Sequence, residues 1–141
     1  MAKIRIPASA IPLLPLCQTH TARNDRACFE SYAALVTFAA CYAYHLGRLR
    51  KALACKSFAK SPEPIDTAIF RSQGLYPQLL LLSLEARGNN EEAAKETNVV
   101  ALAENLADFG CEKLTALLAK KGEASFAEEL GLLMAKVPDQ I

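Results

Sequence analysis

Two histidines, His20 and His45, and five cysteines, Cys17, Cys28, Cys41, Cys55 and Cys111, are the side chains best suited to chemistry near neutral pH. Histidine is the usual general base there, but His20 lies in a proline-punctuated leading stretch and His45 at the end of an apolar run. The chain contains no GxSxG, HExxH, Walker-type or dinucleotide glycine pattern, so no catalytic residue is assigned and no cofactor is expected. A metal site needs several ligands at disciplined spacing. Cys41 and His45 are four apart on one predicted helix, but no second pair accompanies them, and no metal is expected. The cysteines form no CxxC pair and are odd in number, which reads as reduced thiols in a cytoplasmic protein.

The second kind of chemistry open to this sequence is phosphate contact. Arg48, Arg50, Lys51, Lys56 and Lys60 fall in one segment without an acid, and residues 1–60 carry 9 Lys/Arg against 2 Asp/Glu, whereas residues 61–141 carry 7 against 13. These five cations are the candidates for non-specific DNA binding through counterion release; a solvated basic edge is the plainer reading. Sequence-specific reading by a helix-turn-helix is not supported. Its recognition helix would be 76–86, where Leu79, Leu80, Leu81 and Leu82 stand in place of the polar side chains that reach base edges.

The element that must position these groups is the run from Cys28 to Leu46, which neither Gly nor Pro interrupts. It predicts a long central helix, 28–46, capped by Asn24 or Asp25 and stopped at Gly47. Phe29, Leu35, Phe38, Tyr42 and Leu46 would form its core stripe, with Ala33, Ala34, Ala39, Ala40 and Ala43 keeping the other sides slim. Phe38→Ala is then expected to cost about 3–5 kcal/mol. Glu30, His45 and three tyrosines argue against a membrane span, and Pro7, Pro12 and Pro15 break the leading apolar tract into pieces too short for an export signal.

Around this helix the sequence predicts an all-α, single-domain bundle of about five helices over 24–141, preceded by an extended Pro-containing arm over 1–23. In the arm, Ile4 and Ile6 alternate with Lys3 and Arg5 as in a short strand. Its apolar side chains, Ile4, Ile6, Ile11, Leu13 and Leu14, require a docking surface, either the chain's own or a partner's groove. Residues 48–60 read as a turn or two of helix, ended by Ser61-Pro62-Glu63-Pro64. A short helix follows over 65–72 with Ile65, Ile69 and Phe70 inward, then a buried helix over 75–86. A helix over 91–120, broken at most once, places Glu104, Asn105, Asp108 and Glu112 on its outer face. Gly110 lies within its apolar pattern, where either a neighbour packs close or the helix bends. The last helix, 125–136, buries Phe126, Leu130, Leu133 and Met134 or Val137.

The order of these features resembles a known family. Phe29 followed by Ala39-Ala40 and Tyr42 or Tyr44, then Pro64-Ile65, Ile69-Phe70 and Glu104-Asn105-Leu106-Ala107 with Gly110, is similar to accessory proteins encoded beside the bacterial dnd genes. Those genes install phosphorothioate groups in the DNA backbone and support restriction of unmodified DNA. The resemblance spans about 28–118. Phe70 keeps the family's five-residue spacing from Ile65. Leu106 replaces an aromatic, Asp108-Phe109 replaces Asn-Gly and Cys41-Tyr42 replaces Gly-Tyr. It implies a noncatalytic adaptor in a DNA-modification, restriction or phage-defence setting, contacting a larger protein of that system through the arm and the acidic C-terminal half. A DNA-associated subunit using 48–60 is the alternative; homo-oligomerisation stays open, and no membrane partner is implied.

Overall fold

The central helix, α1, spans Tyr32–His45 and starts where the Ser31 side chain accepts from the Ala34 N–H at 3.1 Å. The computed structural model describes residues 3–17, 29–48, 60–88 and 90–136, so Asn24 and Asp25, expected as caps, lie outside the described residues. Helix α1 ends in a Schellman arrangement: Gly47, at φ 76°, donates to the Tyr44 carbonyl and Arg48 donates to that of Ala43. The turn at Gly74 repeats this pattern with Arg71 and Phe70.

The domain is predominantly helical. A strand β1 (Lys3–Pro7) leads into a 3-10 helix (Ala8–Leu16), then come α1, strand β2 (Lys60–Asp66), α2 (Thr67–Ser72), α3 (Tyr76–Arg87), α4 (Glu91–Ala94) and α5 (Glu96–Lys136). Helix α5 has a non-helical residue at Gly122, φ 78° and ψ 168°, so a last helix does follow Gly122. The one break allowed within 91–120 falls at Lys95, whose ψ of 133° separates α4 from α5. Gly110 instead lies in unbroken helix, because the backbone of Ala39 is packed against it.

That contact explains which side of α1 is buried. Ala33, Leu35, Val36, Thr37, Ala39, Ala40, Cys41 and Ala43 are the buried residues of the helix, while Phe38 and Tyr42 are half-buried and Leu46 is 39 % exposed. The expected assignment is thus corrected: apart from Phe29 and Leu35, the larger side chains are not the core stripe. Gly110 of α5 meets the backbone of Ala39 in α1, and the buried Ala103 and Ala107 of α5 and alanines of α1 belong to the same core; small residues of this kind let two helix backbones come close. Removing the half-buried Phe38 ring therefore costs less than first expected, about 1–2 kcal/mol. Phe70, fully buried on α2, is where Phe→Ala is expected to cost about 3–5 kcal/mol. Urea unfolding of the two variants side by side checks this order.

The prolines of 61–64 end the preceding segment by extending the chain, and the extension is a strand. Strand β2 pairs antiparallel with β1, Ile4 opposite Ile65 and Arg5 opposite Pro64. Ile65 is buried from this strand rather than from a helix, and Ile69 points outward. In α3, Leu79 and Leu82 are buried and Leu80 half-buried, while Leu81 is exposed. Leu130 is buried as expected; the Phe126, Leu133 and Met134 side chains, and Val137, lie outside the described residues.

Candidate functional site

The thiols are the natural place to look for reactivity. Cys17, Cys41 and Cys111 are buried and not in disulfides. Burial pushes the Cys41 thiol up to about 12, and burial, with Asp108 and Cys17 nearby, pushes Cys111 higher still. Because a thiolate is the reactive form, these groups are poor nucleophiles at neutral pH. Cys41 faces inward while His45 is exposed, so the two do not share one accessible site. Among the described residues no group of three or more His, Cys, Asp or Glu could hold a metal.

The thiols also set a pH expectation. A thiol that ionises near 9.0 when unfolded but near 12 when folded leaves the native state binding more protons between those values. Stability is therefore full below about pH 9 and falls as pH rises, by about 1.4 kcal/mol per unit for each such thiol. Chemical unfolding at pH 8 and pH 10.5, repeated on Cys41→Ala, is expected to show a fall that the variant reduces.

Of the five candidate cations, Arg48 is half-buried at the end of α1, and its N–H donates to the Ala43 carbonyl at 3.0 Å. Lys60 begins β2, opposite Pro7, with its side chain outside the described residues. Arg50, Lys51 and Lys56 also lie outside them. The strand opposite Lys60 carries two exposed cations that the sequence reading did not single out, Lys3 and Arg5.

The apolar residues of the N-terminal segment are placed mainly within the chain's own core. Ile4, Ile6 and Leu13 are buried, Leu14 is half-buried, and Ile11 is 52 % exposed. Polar bonds fasten the same segment to α5. The Arg5 N–H donates to Glu104 Oε2 at 2.6 Å, the Ser9 hydroxyl donates to Asp108 Oδ1 at 2.7 Å, and the Thr115 hydroxyl donates to the Ser9 carbonyl at 2.9 Å. Glu104 is only 8 % exposed. The supposed outer face of α5 is thus in part the seat of the N-terminal segment, although Glu112 is exposed as expected.

A second polar tie joins α2, α3 and α5. Arg71 donates to Glu96 Oε2 at 2.6 Å and lies 4.1 Å over the Tyr76 ring; this hydrogen bond to the Glu96 carboxylate raises its guanidinium above its ordinary range. The Arg71-to-Tyr76 spacing is a signal a sequence reading could use, but Glu96 is 25 residues away.

Along α1 an aromatic ladder packs against the edge of the core. Buried Phe29 contacts Phe38 at 6.0 Å between centroids, and Phe38 stacks on Tyr42 at 6.1 Å with 7° between ring planes. Leu46 follows one turn later, and His45 and Arg48 border that end. Partial burial raises the Tyr42 hydroxyl above its ordinary range.

No helix among the described residues is long and apolar enough to cross a membrane. No curated protein and no solved structure matches the chain. The family model described as DNA sulphur modification system-associated protein 4 matches residues 3–140, so the chain, which resembles dnd-associated accessory proteins over 28–118, belongs to that family over nearly its whole length.

Proposed function

We propose that the chain is a noncatalytic helical adaptor of a bacterial phosphorothioation-linked DNA-modification or phage-defence system, acting through protein–protein contacts. One observation carries this reading: several of the residues that mark the family are spent on holding the fold. Ala39 and Ala40 are buried in the core, Gly110 receives the Ala39 backbone, Phe70 fills the core, and Glu104 fastens the N-terminal strand. Reactive groups placed for catalysis would need access to a substrate, whereas these are covered by their own chain. The acidic C-terminal half supplies charge for steering a partner.

The test is binding of the full chain to each purified protein of the same sulphur-modification system, together with the phosphorothioate content of host DNA. The expected result is one stable complex, with Cys41→Ala leaving modification intact. A folded variant that keeps the complex and abolishes modification would refute the noncatalytic reading.

The second reading is a DNA-associated subunit using Arg48, Arg50, Lys51, Lys56 and Lys60. Its support is that Lys60 joins the ribbon on which Lys3 and Arg5 are exposed. Labelled duplex titrated at two salt concentrations separates the readings. DNA contact requires a slope of about −0.9 in log K against log salt per neutralised phosphate, with binding lost on reversing Arg50 and Lys51 to Glu. The adaptor shows nothing tighter than about 10⁻⁴–10⁻⁶ M at physiological salt.

A further inference from the structure

We infer that the β1/β2 ribbon is closed to a third strand on both edges, by Glu104 beside β1 and by Pro64 on β2. A second copy of this chain therefore does not extend the sheet, and a partner in the modification system binds elsewhere than along these edges. Closure follows from the strand geometry, whereas its meaning for partners rests on the adaptor reading. A two-stranded ribbon ordinarily leaves a row of N–H and C=O groups along each outer edge, which is a template for another extended chain. Among the described residues β1 and β2 make up the whole sheet.

The direction of one bond fixes which groups point outward. The Arg5 N–H donates to Glu104 Oε2 of α5 rather than to β2. Arg5 and Pro64, which face each other, are thus the kind of antiparallel pair that exchanges no hydrogen bonds. In such a pair both residues turn their N–H and C=O positions away from the opposite strand. On β1 the outward donor meets the Glu104 carboxylate, which takes the place that a third strand's carbonyl would have. On β2 the outward position is a proline nitrogen, which has no hydrogen to give and carries the ring instead.

The rest of that edge is short. Regular pairing joins Lys3 to Asp66, Ile4 to Ile65 and Arg5 to Pro64, and the register then shifts before Pro7. Ile65 turns its groups toward β1 by the same alternation, so among these β2 residues Asp66 alone offers a donor outward. The Asp66 side chain caps α2, accepting from the Ala68 N–H at 3.0 Å, and the strand ends there. Pro62 removes a further donor from β2. Proline within a sheet belongs at an edge, and the bond to Glu104 shows that Pro64 faces the outer one.

The experiment restores the missing donor. Full-length Pro64→Thr, Pro62→Thr/Pro64→Thr and the control Pro77→Thr, whose proline is exposed in the first turn of α3, are compared with wild type. Sedimentation over a wide range of concentration gives self-association, and circular dichroism confirms folding. In a two-fold pair of β2 strands each restored N–H acts twice, so Pro64→Thr is expected to self-associate at least about tenfold more tightly than wild type. The double variant is expected to be tighter still, and Pro77→Thr to match wild type. Hydrogen exchange locates the contact: the amides of position 64 and Asp66 slow as Pro64→Thr associates.

A folded Pro64→Thr that associates no more than wild type would overturn the closure by Pro64. A second measurement uses the wild type itself, with exchange over residues 60–66 read at low and high concentration and with each purified protein of the system. No added protection is expected. Protection appearing at high concentration would mean that the edge pairs with a second copy, and the inference falls. Protection appearing on binding a system protein would likewise overturn the closed edge while the adaptor reading stands. Binding to no system protein would defeat the adaptor reading, and the edge is then decided by the self-association of the proline variants.

Discussion

Gly110→Ala is expected to destabilise the domain by about 3 kcal/mol or more, although in most helices the same change is stabilising. Alanine gains about 1 kcal/mol over glycine in a helix interior, so a net loss must come from packing that exceeds this gain. A Cβ at position 110 would lie 2.6 Å from the carbonyl carbon and 2.9 Å from the Cα of Ala39, and closer still to its oxygen. These are backbone atoms in the middle of α1, so no side chain can rotate away. The collision is relieved only if α1 and α5 move apart, opening the alanine seam between them. Overpacking at a well-filled site usually costs about 1–3 kcal/mol, occasionally more, and a contact between two backbones belongs at the upper end. A fall in Tm of roughly 10 °C follows for a domain of this size. A Tm at or above wild type would show that the two helices do not approach each other in this way.

The same seam shows what could be read from the residues and what could not. The existence of α1, its stop at Gly47, the break at Gly122 and the strand-like alternation of Lys3 to Ile6 follow from local rules, and local rules apply wherever the chain lies. The inward face of α1 does not follow from them. Both of its sides are apolar, and ranking them by size selects the aromatic side, as if burial area alone decided. The structure instead chooses proximity, with the Ala39 backbone packed on Gly110. The available signal was the pair of small-residue series, Ala33, Ala40 and Ala43 in one helix and Ala103, Ala107 and Gly110 in the other. A glycine retained within a helical pattern points to a close neighbour.

Strand β2 was hidden for another reason. Pro62 and Pro64 signal extended chain, but its pairing with β1 depends on a partner about 60 residues earlier. The candidate surfaces were legible in part. The aromatic ladder was visible as a pattern, although Phe38 and Tyr42 pack against the core only partly buried, while the polar seat of the N-terminal segment depends on contacts 99 and 106 residues apart. No periodicity within α5 could reveal that Glu104 and Asp108 face another part of the chain rather than water.

Glu104→Ala is expected to release the N-terminal segment and to cost about 2–3 kcal/mol. Arg5 lies on β1 opposite Pro64. The Arg5 N–H turns to α5, where Glu104 Oε2 accepts it at 2.6 Å in a largely dry setting. Truncation to alanine removes a strong acceptor and strands a backbone donor, whose desolvation costs about 1–3 kcal/mol; the lost side-chain packing adds to it. Glutamine keeps an acceptor oxygen of similar reach, so Glu104→Gln is expected to cost about 1 kcal/mol. The damage should also be local first. Ile4, Ile6 and Leu13 dock through the same segment, so weakening its edge lowers the energy at which it opens as a unit, ahead of the α1/α5 core. Hydrogen exchange read peptide by peptide distinguishes this from general loosening: residues 3–17 lose protection in Glu104→Ala at least tenfold (about 1.4 kcal/mol) more than residues 33–43, and glutamine restores most of it. Equal loss in both regions would mean that Glu104 supports the whole core rather than fastening the strand.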